Sequence, residues 1–130
     1  YLDDNFEVEI KSDNSPLTIA DKEAHRIICQ KLKSDFPTLP ILSEESENLT
    51  FEERKSWTSF FLVDPLDGTK EFIKRNGEFT INIALIHGTE PVAGVVYVPV
   101  NRKLYYGDTR SCSSFLEFEP QFCRSGRSRC

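Results

Sequence analysis

The chain of 130 residues contains no methionine, one tryptophan, two histidines and six glycines. With no methionine and a first residue of Tyr1, it reads as a fragment or a truncated gene product rather than as a complete translated protein. No apolar run approaches the roughly 20 residues that a membrane-spanning helix needs, and no secretory signal pattern is present. The expectation is a cytoplasmic location, with peripheral attachment to a membrane as the alternative. A basic stripe is also missing: the net charge is −5, and the short clusters Lys74-Arg75 and Arg124, Arg127, Arg129 make no nucleic-acid footprint. Four cysteines give no zinc template, because Cys112, Cys123 and Cys130 are spaced by eleven and seven with no histidine beside them. Disulfides would need an oxidising compartment. Cys29, inside a helical pattern, is expected to be a free, partly buried thiol. No repeat or coiled-coil heptad occurs.

What remains is enough for one domain with a modest core, burying about two thirds of its unfolded surface. Glu7 to Lys11 alternates polar and apolar residues like a half-buried strand, and Ser12 to Pro16 supplies a turn. Thr18 and Asp21 fit a capping box, after which Ala20, Ala24, Ile27, Ile28 and Leu32 recur at helical spacing until Phe36-Pro37 stops the run. Thr50 with Glu53 predicts a second, short helix. Apolar, β-branched and aromatic stretches at 59–64, 80–86, 92–98 and 103–106 predict strands, and the short connections between the later ones predict antiparallel neighbours. This order gives an α+β fold, an antiparallel sheet with helices packed on one face.

The chemistry concentrates in Asp64-Pro65-Leu66-Asp67-Gly68-Thr69, directly after the apolar run Phe60 to Val63. Two carboxylates three positions apart on a tight, glycine-bearing turn suit hard cations, and magnesium is commonly shared between carboxylates and a substrate phosphate. Pro65 biases Asp64 toward an extended conformation, and Gly68 permits close approach of backbone amides to an anion. Asp-Pro and Asp-Gly are also ordinary turn dipeptides, so the pair has a purely structural reading as strand end and helix start. Ser43-Glu44-Glu45 adds a second acidic element after Ile41-Leu42, and crowded carboxylates call for cations. Taken alone, Glu44-Glu45 also fits a solvated loop or a first helical turn. Asp21 is explained by its capping role alone, and Thr69 by that of a helix N-cap. His25 and His87 fit a helix-surface and a turn position, and Lys70, Lys74 and Arg75 a solvated basic loop.

Three separated segments, Asn14 to Asp21, Ser43-Glu44-Glu45 and Asp64 to Thr69, resemble the N-terminal signatures of the inositol monophosphatase superfamily of magnesium-dependent, lithium-sensitive phosphatases. Lys70 to Thr80 is similar to the CysQ-type 3'(2'),5'-bisphosphate nucleotidases within it. The resemblance runs from about Phe6 to Thr109 and implies an N-terminal α+β metal-phosphatase domain over 1–110, incomplete at its N-terminus. It also implies an irregular tail over 111–130, outside the family pattern, and an absent C-terminal domain.

The resemblance further implies two or more Mg2+ ions, with lithium inhibitory. Glu44, Asp64, the Leu66 carbonyl and Asp67 would be metal ligands, Asp21 the base and Thr69 its relay, with Glu44 holding the metal that activates water. Glu44, Leu66, Asp67, Gly68 and Thr69 would bind substrate. The implied reaction converts adenosine 3',5'-bisphosphate to AMP and phosphate in sulfur assimilation; inositol monophosphate is the alternative substrate, and a non-catalytic metal-binding or interaction fragment the alternative role. The family draws one more aspartate ligand from its C-terminal domain, so weak or no activity is expected of this chain. A small phosphorylated nucleotide is the expected partner, and a second copy or a missing-domain partner the expected association.

Overall fold

A computed structural model describes residues 8–10, 16–46, 49–109 and 111–117, the first three, Pro16, Leu17 and the last seven by backbone alone. Asn14 and Ser15 of the first signature, the flanks of the first predicted strand and turn, and the tail from residue 118 with Cys123 and Cys130 lie outside the described residues. Strands β1 (Val8–Ile10) and β2 (Pro16–Thr18) form an antiparallel hairpin in which Val8 pairs with Thr18. The second strand of this hairpin runs straight into helix α1 (Ile19–Asp35). The predicted capping box is present: the Thr18 side chain accepts from the Asp21 amide, and the Asp21 carboxylate accepts from the Thr18 amide at 2.7 Å. The helix stops at Phe36, whose N–H still reaches the Leu32 carbonyl, because Pro37 disfavours a further helical residue before it.

Strand β3 (Ile41–Ser43), helix α2 (Phe51–Arg54) and strand β4 (Ser59–Asp67) follow. Then come helix α3 (Thr69–Lys74) and strands β5 (Thr80–His87), β6 (Glu90–Val98), β7 (Lys103–Asp108) and β8 (Ser111–Glu117). The sheet order is β3-β4-β5-β6-β7-β8. The expected antiparallel meander holds from β4 onward, but β3 lies parallel to β4, with Ser43 opposite Val63. The α2 segment supplies the crossover that a parallel pair requires. Ser111–Glu117 pairs antiparallel with β7, so the segment expected to be irregular begins with a strand. Its serine-rich, weakly alternating pattern hides a strand whose partner is already in place.

Alternation along β4 sets the layers. Phe61 and Val63 are buried, Val63 at 1% exposure, whereas Leu62 between them is 44% exposed. Helix α1 covers the Phe61 side, with the Phe36 and Phe61 rings 5.2 Å apart. Burial of side chains this size contributes roughly 2 kcal/mol each, enough to fix α1 over β3 and β4. No helix among the described residues is long and apolar enough to cross a membrane.

Candidate active site

The site forms where β4 ends. The sequence predicts a turn starting at Asp64, but the strand continues to Asp67 through an irregularity: Asp64 pairs with Asn82 and Asp67 with Thr80, with a register shift between them. Pro65 has no N–H to give to a ladder, which explains why pairing breaks there. The Leu66 N–H instead turns back to Asp64 Oδ1 at 3.2 Å. Gly68 then takes a left-handed conformation, φ 96° and ψ 41°, and acts as N-cap of α3 with no side-chain cap. A Cβ there would meet the Glu78 carbonyl oxygen at 2.9 Å, so the close approach and the positive φ both select glycine. Thr69 is therefore the first residue of α3 and not its N-cap, which frees its hydroxyl.

That hydroxyl donates to Asp21 Oδ1 at 3.0 Å, across 48 residues, and lies 3.4 Å from the Leu66 carbonyl oxygen. The other Asp21 oxygen is taken by the Thr18 amide and the Thr18 hydroxyl. Asp21 is fully buried. Its carboxylate thus serves the helix cap with one oxygen and Thr69 with the other, so the capping role does not take up both oxygens.

The parallel pairing of β3 and β4 carries Glu44 to the acidic turn, since its amide donates to the Val63 carbonyl at 3.0 Å, one residue before Asp64. The Asp64 carboxyl is pushed up to about 6, first by burial, then by the Glu44 and Asp67 charges; the Leu66 amide opposes the shift, and a hydrogen bond with Glu44 adds to it. Like charges gathered in a half-buried place behave this way when nothing cationic neutralises them. Asp67 is held from the side by Asn82, whose Nδ2 donates to its Oδ2 at 3.1 Å. The Asn82 Oδ1 atom, at the other end of the same amide, is buried with no hydrogen-bond partner among the described residues.

These groups fit a hard cation. The Glu44 and Asp67 charges both act on Asp64, the Leu66 carbonyl lies two residues on, all four groups offer oxygen donors, and the orphaned Oδ1 belongs to the amide that holds Asp67. Among the described residues no three His, Cys, Asp or Glu side chains converge as a ready-made metal cage. An open oxygen set of that kind is what magnesium uses, because it keeps several waters and rarely occupies an all-protein cage.

Other expected residues take different places. His25 is half-buried rather than on the helix surface, with Nδ1 2.8 Å from Ser43 Oγ and 3.6 Å from Cys29 Sγ. Cys29 is a free, buried thiol, and burial pushes its pKa up against the opposing charge of Lys33. His87 closes β5 and meets Ser59 Oγ at 2.8 Å, where a turn position was expected. Lys70 and Lys74 belong to α3 and Arg75 is its C-cap, so the expected basic loop is a helix; Lys74 lies 3.7 Å from Glu71. Asn82, Ser43 and His25 carry contacts that the sequence reading missed. The signal for Asn82 was present, as one amide inside the apolar strand Thr80-Ile81-Asn82-Ile83-Ala84.

Comparison with known proteins decides the family: the inositol monophosphatase family model matches residues 1–121. The chain belongs to the inositol monophosphatase family. A relative named 3'(2'),5'-bisphosphate nucleotidase CysQ, from Salmonella typhimurium, is 56% identical over 96 residues, which is 74% of this chain and 39% of the relative. The crystal structure of CysQ from Bacteroides thetaiotaomicron, a bacterial member of the same family, superposes with a TM-score of 0.73 at 48% identity, covering 83% of this chain and 39% of that one. A lithium chloride-soaked inhibitory complex of staphylococcal inositol monophosphatase-1 superposes at 0.74 with 25% identity, over 85% of this chain and 41% of that one. The chain spans about two fifths of the length of the curated relatives it matches. As a member of the inositol monophosphatase family it carries the match past Thr109 into β8, beyond the boundary the motifs alone suggest.

Proposed function

We propose that this chain carries the water-activating half of the active site of a magnesium-dependent phosphomonoester hydrolase that acts on 3'(2'),5'-bisphosphate nucleotides, releasing AMP and phosphate from adenosine 3',5'-bisphosphate. The observation that carries the reading is the Thr69 hydroxyl donating to buried Asp21 at 3.0 Å, two residues after Asp67 in the segment where the Glu44 and Asp67 charges act on Asp64. The similarity of Lys70 to Thr80 to CysQ-type enzymes, and the CysQ name of relatives at 54–56% identity, support the nucleotide over inositol monophosphate as substrate.

Glu44, Asp64 and the Leu66 carbonyl would hold the cation that lies next to the attacking water, and Asp67 would help hold a second. A bound divalent cation supplies Lewis acidity and lowers the pKa of its water. The chain's own residues then handle the proton. Thr69 can accept a hydrogen bond from the water while giving its own to Asp21 Oδ1, so one proton moves from water to Thr69 as another moves from Thr69 to Asp21. Asp21 is held for this task by Thr18, which fixes its second oxygen. The Gly68 and Thr69 amides would stabilise charge on the phosphoryl oxygens. The family resemblance supplies one more aspartate ligand from a C-terminal domain, so the isolated chain is expected to bind cation and turn over slowly or not at all. Lithium inhibition, the count of two or more ions, a cytoplasmic location and association with a second copy or a missing-domain partner belong to the same proposal.

The test is phosphate release from adenosine 3',5'-bisphosphate and from inositol monophosphate, with magnesium titration of the chain and of Asp64→Asn. Binding lost in Asp64→Asn supports the metal assignment, and preference of a longer parent protein for inositol monophosphate would overturn the substrate.

A further inference from the structure

Asn82 is placed to do more than fill a strand. It lies directly opposite Asp64 across the β4–β5 ladder, and its Nδ2 donates to Asp67 Oδ2 at 3.1 Å, so one amide touches one carboxylate and faces the other. Asn82 and Asp64 are also the polar members of a groove of about 240 Å³, otherwise lined by Leu62, Ala84, Gly94 and Val96 among others. The Asn82 Oδ1 atom faces no donor among the described residues although it is buried. An amide acceptor stranded in that way is destabilising, and apolar neighbours of the groove cannot offset it. The groups that would satisfy it are donors, and the oxygen set around it recruits a hydrated cation whose waters are strong donors.

We propose that Asn82 is a positioning residue for the cation site, its Nδ2 fixing the rotamer of Asp67 and its Oδ1 accepting from a water of the hydrated divalent ion held by Asp64 and Asp67. This rests on the metal reading above. The amide form matters on both counts. The donor end must face Asp67, since a second acceptor there would repel, and that orientation leaves the acceptor end to the water. A leucine would fill the same space but give neither bond, and an aspartate would give the acceptor without the donor.

Mn2+ titration by calorimetry and by electron paramagnetic resonance, on the 130-residue chain and its variants, reads this without turnover. Asn82→Leu and Asn82→Ala are expected to weaken Mn2+ binding about tenfold, the usual cost of losing an outer hydrogen bond to a metal ligand, and to raise the exchangeable-water contribution to the spectrum. The melting temperature of the metal-free chain should change little in Asn82→Ala, because one bond to an exposed carboxylate is lost and one orphaned acceptor is removed. Unchanged Mn2+ affinity in both variants, with binding abolished in Asp64→Asn, would overturn the role of Asn82 while leaving the metal site intact. Unchanged affinity in Asp64→Asn would overturn the metal reading itself. Should Asn82→Ala fail to fold without metal, Asn82→Asp carries the test. It is expected to melt lower than the unsubstituted chain in chelator and to gain more on Mn2+ addition. An equal gain in the two proteins would overturn the proposal.

Discussion

Two capping boxes in this molecule have nearly the same local geometry and entirely different consequences. At α1, Thr18 accepts from the Asp21 amide at 3.4 Å and Asp21 accepts from the Thr18 amide at 2.7 Å; at α2, Thr50 and Glu53 do the same at 3.4 and 2.7 Å. Asp21 is fully buried and has a further partner, Thr69, brought from 48 residues away. Glu53 is exposed, its hydrogen bonds with Thr50 hold its carboxyl below the usual range, and its carboxylate accepts from the amide and the hydroxyl of Thr50. The sequence motif therefore specifies a helix start in both places. Only the packing of α3 against the start of α1 turns one of them into a candidate base.

The strongest way to break this comparison is Asp21→Ala. It strands the Thr18 amide, the Thr18 hydroxyl and the Thr69 hydroxyl in a buried place, and each orphaned group costs about 1–3 kcal/mol. A loss on the order of 3 kcal/mol is expected in urea unfolding, enough to consume a large part of the stability of a small domain. Asp21→Asn keeps the shape but loses one acceptor lone-pair set, and about half that loss is expected. A cost for Asp21→Ala no larger than for Glu53→Ala would mean that burial and Thr69 add nothing.

Next in size is Gly68→Ala, which attacks the turn that delivers Thr69. The new Cβ would sit 2.9 Å from the Glu78 carbonyl at φ 96°, and such positions cost roughly 1–3 kcal/mol. The expected signature is a stability loss of about 2 kcal/mol together with exposure of Asp21, detectable as faster amide exchange through Thr18 to Lys22. Exchange unchanged in that turn would separate Gly68 from the Asp21 contact.

The pH dependence of the metal-free chain follows from Asp64. Its folded pKa, about 6, lies above the ordinary value of 3.8, so between those values the native chain binds more protons than the unfolded one. Stability is then fully present below about pH 4 and falls as pH rises through 6. In this half-exposed cluster, where solvent screens the charges, about 1 kcal/mol is expected. Urea midpoints at several pH values check it, and Asp64→Asn should flatten the slope. Added Mg2+ should oppose the fall, because a bound cation favours the ionised form.

Much of this was legible beforehand, and the misses have physical causes. The α1 capping box, the β5–β7 meander and the acidic turn follow from short-range patterns with a fixed period. β3 was too short for an alternation pattern to declare, and its parallel pairing is a long-range event that places Glu44 without leaving a local trace. The left-handed Gly68 shifted the start of α3 by one residue, which changed Thr69 from a cap into a hydrogen-bond donor for Asp21. Asn82 needed the β4–β5 register, since a polar residue in an apolar strand acquires meaning only from what lies opposite.

The smallest expected effect sharpens the comparison most. Thr69→Val removes the third partner of Asp21 and nothing from the α1 cap, so the Asp21 box then has the partner set of the Glu53 box while remaining buried. A buried hydroxyl bond of this kind contributes about 1 kcal/mol, and Thr69→Ser should restore most of it. Glu53→Ala is expected to change the urea midpoint less than Thr69→Val does, since water replaces the lost acceptor at an exposed end. Equal midpoints for the two variants would show that the buried Thr69 contact adds no more to stability than one exposed carboxylate at the α2 cap does.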